Sequence, residues 1–464
     1  MSSCIVEIES LNSRGEGVGI VVSGPFQGLK VFVPSTVPGD EVEVLIIERK
    51  KSYGQGRVKR ILKHGPGRVE EICPYASRCG GCSWQHIDYR VQLEWKTKIV
   101  EETFRRIGKI YDCEVSPCIP SPKILGYRNK VAVPVSYQKG QVVAGFYEPY
   151  THNVVPVEDC PVEERVVRDV VNHLLEQVRK RKYRVYNEET GKGAVRHLVA
   201  RVAPGTGEAM AVLVSAARKL PGLKDMAFEL MESVDNLKSV ILNINDKATN
   251  VVLGDKDYLL AGRPYIRDVL GVGDPEEGGL GRLSFRISPQ SFYQVNSYQA
   301  SNLYATALSW AELKRDDVVY DIYSGIGTIS LFAALRSSFV IGLEEVEPAV
   351  KDGYKNAKDN RIENVTFEAG KAARVMPRIL AKYPKPDVVI MDPPRGGAER
   401  ETLAAVSDAE PRSIVYVSCN PATLSRDLAF LKEKGWEAVR CQPFDMFPMT
   451  SHVETIARIQ RKDF

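Results

Sequence analysis

From about Ser291 onward the chain repeats one unit: a short Val/Ile-rich run, a turn, then a helical stretch. The runs are Val318 to Ile322, Phe339 to Leu343, Val365 to Glu368, Val388 to Met391 and Ile414 to Val417, with helices starting at Thr328 and Pro348. Apolar strands alternating with helices predict a largely parallel sheet covered on both faces, because each strand must bury both of its sides. Sheets of this kind bind ligands at the carboxyl ends of their strands. The polar residues that follow each run are therefore where chemistry is expected.

The first such end reads Asp321-Ile-Tyr-Ser-Gly325-Ile-Gly327-Thr. Glycines there allow a tight turn into a helix and let a ligand approach the backbone. An acid closes the next run, Glu344 in IGLEE, where a ribose-binding carboxylate belongs. Together they indicate an adenosyl cofactor. Strand order and the absence of a third glycine at dinucleotide spacing favour S-adenosylmethionine over NAD.

Three later strand ends carry polar motifs: MDPPRGG with Asp392, VYVSCNPATLSRD with Cys419, and HVETI with Glu454. All three should meet above one sheet edge. Carbon 5 of uracil is a poor nucleophile, so methylating it requires a nucleophile to add first at carbon 6. Cys419 fits that need, and Glu454 is the candidate base for the carbon 5 proton. Asp392 could bond the pyrimidine or the cofactor, and Arg395 could hold a phosphate or steady an enolate. A cysteine after a buried strand is usually a small core residue. The position of Cys419 before Asn-Pro in a cofactor-binding sheet reverses that reading, whereas Cys441 is left as core. His452 is a helper or an exposed imidazole. DPP motifs also serve amino-group methylation, which needs no thiol, so Cys419 discriminates.

Toward the amino terminus, short β-type runs alternate with Gly and Pro turn signals from Cys4 to Leu62 and predict a small β-barrel. From Arg49 to Val69 there are eight Lys or Arg and no acid, with Tyr53, Gly54 and Gly56 interleaved, as an RNA-contacting edge requires. A helix is expected around Tyr89 to Ile107, and a central α/β region from about Gly126 to Phe285 with a helix near Val162 to Lys182. Gly271 to Gly281, acidic and Gly-rich, reads as an exposed loop. Cys73, Cys79 and Cys82 lie within ten residues around a Gly-Gly turn, and Cys160 repeats the Cys-Pro signature of Cys73. Four such thiolates can hold zinc or an iron–sulfur cluster, and spacing leaves both open. Cys4, Cys113 and Cys118 show no partner pattern.

A length of 464 residues suits several domains, and 44% hydrophobic with 26% charged residues is the composition of a soluble chain. No apolar run spans a membrane and the N-terminus lacks a signal-peptide pattern, so the expected location is the cytoplasm and the expected state a monomer. A net charge of +4 is too small to establish nucleic-acid binding.

As a set, CPYASRCGGC, DCP, SFYQVN, DIYSGIG, MDPPRGG, VSCNPATLSRD and HVETI resemble the RNA (uracil-5-)-methyltransferase family. The likeness is to members with an N-terminal TRAM domain and an iron–sulfur cluster, such as the 23S ribosomal RNA enzymes. It implies a multidomain α/β protein: a TRAM (OB-like) RNA-binding barrel over 1–62, a central α/β RNA-binding domain with the cluster over 63–290, and a Rossmann-like methyltransferase domain over 291–464. The segment about 89–125 is expected to pack on the catalytic domain. It further implies a [4Fe-4S] cluster on Cys73, Cys79, Cys82 and Cys160, and S-adenosylmethionine contacts from Gln294, Tyr323, Glu344 and Asp392, beside the turn residues Asp321 and Gly325. Phe292 matches an aromatic near the target base, and Cys419 and Glu454 match nucleophile and proton acceptor. The sequence departs from the family at AGKAARV near Gly370, so Lys371 is given no role. Ribosomal RNA is the expected substrate. Transfer RNA and a non-catalytic RNA-binding protein are the alternatives, the latter disfavoured by an intact Cys419 and Glu454. A radical methylthiotransferase would need CxxxCxxC spacing, which is absent.

Overall fold

The computed structural model describes residues 3–273 and 279–462. At the amino terminus β1 (Ser3–Leu11), β2 (Gly17–Ser23), β3 (Lys30–Val33), β4 (Glu41–Arg49) and β5 (Tyr53–Lys63) close into a barrel in the order β1-β2-β3-β5-β4. Every second residue of these strands faces inward, and Val6, Ile8, Val31, Val33, Val42 and Val44 make its small core.

The next helix, α1 (Tyr89–Thr103), starts at Asp88, whose side chain accepts from the Arg90 amide, and ends in a π-helical turn over Phe104–Gly108. Val100 and Phe104 belong to the core of the C-terminal sheet, and β6 (Glu114–Val115) joins the edge of that sheet. The segment thus spans from the barrel side to the C-terminal side.

A seven-stranded sheet follows, built from β7 (Lys130–Gln138), β8 (Gln141–Tyr147), β9 (Val154–Pro156), β10 (Val195–Ala203), β11 (Glu208–Ser215), β12 (Leu237–Ile244) and β13 (Lys256–Gly262), in the order β13-β12-β11-β10-β7-β8-β9. The helices α2 (Arg165–Lys180) and α3 (Leu223–Ser233) cover one face with Val167, Val171, Leu174, Met226 and Leu230. The opposite face takes a hairpin of β14 (Ile266–Val272) and β15 (Gly281–Ile287), whose Ile266, Leu270, Phe285 and Ile287 share one core with Val212 and Val214. The expected loop at Gly271 to Gly281 is narrower than the sequence suggests: Gly271 pairs with Arg282 and Val272 with Gly281. Its Asp274, Glu276 and Glu277 lie outside the described residues.

The C-terminal layer contains α4 (Ser297–Ala311), β16 (Val318–Ile322), α5 (Thr328–Ala334), β17 (Phe339–Glu344), α6 (Glu347–Asp359), β18 (Val365–Ala369), α7 (Ala372–Lys382), β19 (Val388–Met391), α8 (Arg400–Ala409), β20 (Ser413–Ser418), α9 (Pro421–Glu433), β21 (Trp436–Phe444) and β22 (Glu454–Arg461). Its sheet runs β18-β17-β16-β19-β20-β22-β21-β6. The first five of these strands are parallel, while β22 is antiparallel to both β20 and β21. The order reverses between β16 and β19, which opens a crevice at their carboxyl ends. Among the described residues no helix is long and apolar enough to cross a membrane.

Candidate active site

One wall of the crevice is the turn between β16 and α5. Asp321 is buried, accepts from the Ser330 hydroxyl at 2.5 Å, and has its other oxygen without a partner. Burial pushes its carboxyl up to about 7. The backbone then turns at Tyr323, with φ of 71°, and the amides of Tyr323 and Ser324 both donate to the Leu343 carbonyl. Glu344 braces this turn, because its two oxygens accept from the amides of Gly325 (2.9 Å) and Val346 (2.8 Å). Gly327, at φ of 84°, has no room for a side chain: a Cβ would stand 2.6 Å from the Phe367 ring. At Gly325 nothing lies within 4 Å of that position, so the turn is open there.

The other wall is the end of β19. The Asp392 amide donates to the Ile322 carbonyl, which ties this strand end to the first wall. Burial, then the neighbouring Asp321 charge, pushes the Asp392 carboxyl up to about 7.

Cys419 stands one residue beyond β20. The sharp exit there is made by Asn420, whose side chain accepts from the Ala422 amide to cap α9 and donates to the Arg395 carbonyl at 3.2 Å. That accounts for the Cys-Asn-Pro order in physical terms: amide cap at Asn, Pro at the first helical turn. Glu454 reaches the same edge by a different route from the strand end expected. It begins β22, and since β22 runs antiparallel to β20, with Thr455 opposite Ser418, its first residue lies beside the last of β20. Glu454 is buried, and burial together with the Asp392 charge holds its carboxyl at about 8. The Cys419 thiol is pushed up to about 11 by burial and by the Glu454 and Asp392 charges, against the pull of Arg395. The three groups therefore lie within one another's electrostatic reach. The exposed Arg395 stands 3.5 Å from His452, whose imidazole burial and the Arg395 charge lower to about 4, so it is neutral.

Over the edge lies the Ser291 to Asn296 segment that leads into α4. Ser291 donates to Asp352, Tyr293 donates to Asp268, and Asn129 donates to the Gln294 carbonyl and the Ser297 hydroxyl. With those neighbours tied down, Phe292 is left 64% exposed while Gln294 is buried. Tyr304 of α4 went unmarked by the sequence. Its buried phenol faces the Gln294 side chain and feels the charges of Asp392, Glu454 and Asp321.

Away from this edge, Cys73, Cys79, Cys82 and Cys160 line one cavity of about 240 Å³, together with Gln85, Tyr127 and Glu163. Glu163 accepts from Arg168 at 2.6 Å and keeps one buried oxygen without a partner. No three of the described His, Cys, Asp or Glu side chains stand close enough to hold a single metal ion. All nine cysteines are free thiols, and Cys441 is buried as core.

The basic segment divides into paired and unpaired cations. Arg68 is structural, in a nearly buried pair with Asp40 at 2.5 Å. Lys59 and Arg60 pair with Glu43, Lys50 with Glu48, and Arg49 sits over the Phe26 ring. Lys51, Arg57 and Lys63 are exposed and carry no ion pair among the described residues.

Comparison with known proteins matches residues 88–462 to the model of the tRNA (Uracil-5-)-methyltransferase family and residues 5–59 to the TRAM domain. An uncharacterized RNA methyltransferase of Caldanaerobacter subterraneus subsp. tengcongensis is 43% identical over 98% of this chain and 97% of its own. One of Halalkalibacterium halodurans is 40% identical over 99% and 97%. Among solved structures, the Pyrococcus abyssi tRNA (uracil-54, C5)-methyltransferase in complex with S-adenosyl-L-homocysteine superposes with a TM-score of 0.75. It is 29% identical, covering 99% of each chain.

Proposed function

The chain belongs to the tRNA (uracil-5-)-methyltransferase family, and we propose that it methylates carbon 5 of a uridine through a covalent adduct on Cys419, in ribosomal RNA by the likeness of its motifs to the 23S ribosomal RNA enzymes. It is an S-adenosylmethionine-dependent RNA uridine C5 methyltransferase with a TRAM domain. The observation that carries the covalent route is the meeting of Cys419 and Glu454 at one sheet edge, at the ends of neighbouring antiparallel strands, with the Glu454 charge raising the Cys419 thiol.

Asp321, Tyr323, Gly325, Glu344, Asp392 and Gln294 hold the methyl donor in the crevice, and S-adenosylmethionine supplies an electrophilic methyl group there. Phe292 packs on the target base and Arg395 faces its anionic atoms. Cys419 releases its proton to solvent as its sulfur bonds carbon 6; the C5=C6 pair becomes the C4=C5 bond and the C4=O pair moves onto O4, giving an enolate that Arg395 steadies. The enolate pair then attacks the methyl group from carbon 5, so that the C4 carbonyl reforms, the S–CH3 bond breaks and S-adenosyl-L-homocysteine is left. The ionised form of Glu454, which grows as pH approaches about 8, accepts the carbon 5 proton; the double bond reforms as the C6–S bond breaks and the thiolate is returned.

Four thiols lining one cavity, together with the resemblance to cluster-bearing members of the family, support reading this cavity as a cluster site. Cys73, Cys79, Cys82 and Cys160 would hold a [4Fe-4S] cluster, which would cross-link two distant parts of the chain. The same reading divides the chain into a barrel over 1–62, a central domain over 63–290 and a catalytic domain over 291–464, acting as a cytoplasmic monomer.

Transfer RNA is the second reading, favoured by the likeness to the Pyrococcus abyssi enzyme. Mapping 5-methyluridine in RNA from cells with and without the gene decides: loss of a ribosomal site supports the first reading, loss of a transfer RNA site the second. Unchanged RNA in both classes removes both.

A further inference from the structure

A cleft of about 820 Å³ opens on the central sheet between the β7–β8 hairpin, the end of α2 and the segment leading into β10. Arg179, Lys182, Arg184 and Lys192 line it, all exposed, and no Asp or Glu does. None of the four carries an ion pair among the described residues, whereas Lys180 and Arg181, on the same helix end, both pair with Glu229. Arg179 is aimed by its Nε, which donates to the Val142 carbonyl at 2.8 Å. At the rim Tyr137 is 66% exposed, an aromatic ring left bare in a cationic setting.

Four like charges held together without counter-ions repel one another and are stabilised by an anionic occupant. A small-ligand pocket would converge buried polar groups on its occupant. Here every cation is on the surface, which suits a backbone of repeated phosphates, and a bare tyrosine beside them suits an unpaired base. The location fits as well. β7 begins beside Asn129, which holds the Gln294 segment, and its nine residues at ~3.3 Å each place the cleft roughly 30 Å away. That distance lies within the reach of a folded RNA whose target base is at Cys419.

We infer that this cleft is a second RNA-binding surface, in which Arg179, Lys182, Arg184 and Lys192 contact phosphates and Tyr137 stacks on a base. The inference rests on the reading of the chain as acting on a large structured RNA, and it deepens that reading by adding a contact remote from the target uridine.

The test uses the full-length protein and purified total ribosomal RNA as the probe, with affinity measured across a salt series. Lys182→Ala/Arg184→Ala/Lys192→Ala should weaken binding roughly tenfold at ~0.1 M salt and lower the slope of log K against log salt by about 2. Lys182→Arg/Lys192→Arg should retain both values, and Tyr137→Ala should weaken binding with the slope kept. Melting temperatures should be unchanged, since all the altered side chains are exposed. An unaltered affinity and slope in the triple variant overturns the proposal, as does binding of inorganic triphosphate in the cleft without any change toward RNA. Because the readout is binding, absence of methyl transfer in the unaltered protein would remove the proposed reaction and leave the cleft still tested.

Discussion

The Lys96 ammonium donates to the Asp445 carboxylate across 2.5 Å with both side chains wholly buried, joining α1 to the loop that carries Glu454 to its place. The second Asp445 oxygen has no partner, and Lys96 also donates to the Phe447 carbonyl. The rest of the loop is held similarly: the Trp84 amide donates to Met449, Tyr127 to Pro448, and Asn296 to Met446. Removing one member of a buried pair leaves an uncompensated charge, at a cost of about 3–5 kcal/mol, whereas removing both can be neutral. Lys96→Met should therefore lower the urea unfolding midpoint sharply, and Lys96→Met/Asp445→Leu should recover most of the loss. Equal midpoints in the single variant and the unaltered protein would show that the pair adds nothing.

How far the sequence reached depends on what each residue's setting looks like in one dimension. Asp392 and Cys419 were legible because a polar residue after a wholly apolar run marks a strand end, and the sheet topology brings such ends together. Glu454 stands out by its motif, but that it starts an antiparallel strand is not legible, since only pairing partners far away in sequence reveal that direction. Tyr304 was illegible, since at helical spacing with Ala300, Leu303 and Leu308 it reads as core. Arg68 misleads in the opposite sense, reading as part of an RNA-contacting run whereas the structure pairs it with Asp40. Lysine and arginine read as solvated charge until the folded chain supplies a buried carboxylate.

The Glu454 carboxyl sets a pH dependence with a definite sign. Its pKa in the folded protein, about 8, lies above the ordinary value of 4.5, so the folded state binds the extra proton between them. This contribution to stability is complete below about 4.5 and is lost as pH rises through about 8. Glu454→Gln is neutral throughout, so its melting temperature should exceed that of the unaltered protein at pH 8.5, with the gap narrowing toward pH 5. A constant gap across that range would place the carboxyl in an ordinary environment.

On the barrel, Lys51, Arg57 and Lys63 carry no ion pair among the described residues and are free to meet phosphate, while Arg68 is committed to Asp40. Replacing Lys51 and Arg57 with alanine should lower the salt slope of RNA binding by about 1.5 and leave melting unchanged. Arg68→Ala should instead lower the melting temperature, because Asp40 is left buried without its partner. Identical salt slopes for the double variant and the unaltered protein would return the segment to a solvated face.

Protein purified without oxygen should contain iron and sulfide, and Cys160→Ala should lose both, since the four thiols share one cavity. Metal analysis checks this directly. Stoichiometric zinc without iron would reassign the site.

The covalent route makes the sharpest demand, because it gives Cys419 and Glu454 separable roles at the two ends of one cycle. Cys419→Ala should bind RNA and S-adenosylmethionine yet form neither adduct nor product, since nothing remains to add at carbon 6. Glu454→Gln keeps the thiol and removes one of the charges that raise its pKa, so addition should proceed at least as readily as before. Methyl transfer follows, but no base takes the carbon 5 proton, and the C6–S bond cannot break. Methylated RNA should then stay attached to the protein through Cys419, as a slow band in denaturing electrophoresis with labelled RNA. Adduct-free inactivity of both variants, with donor binding intact, would take the base role from Glu454. Full activity of Cys419→Ala would overturn covalent catalysis altogether.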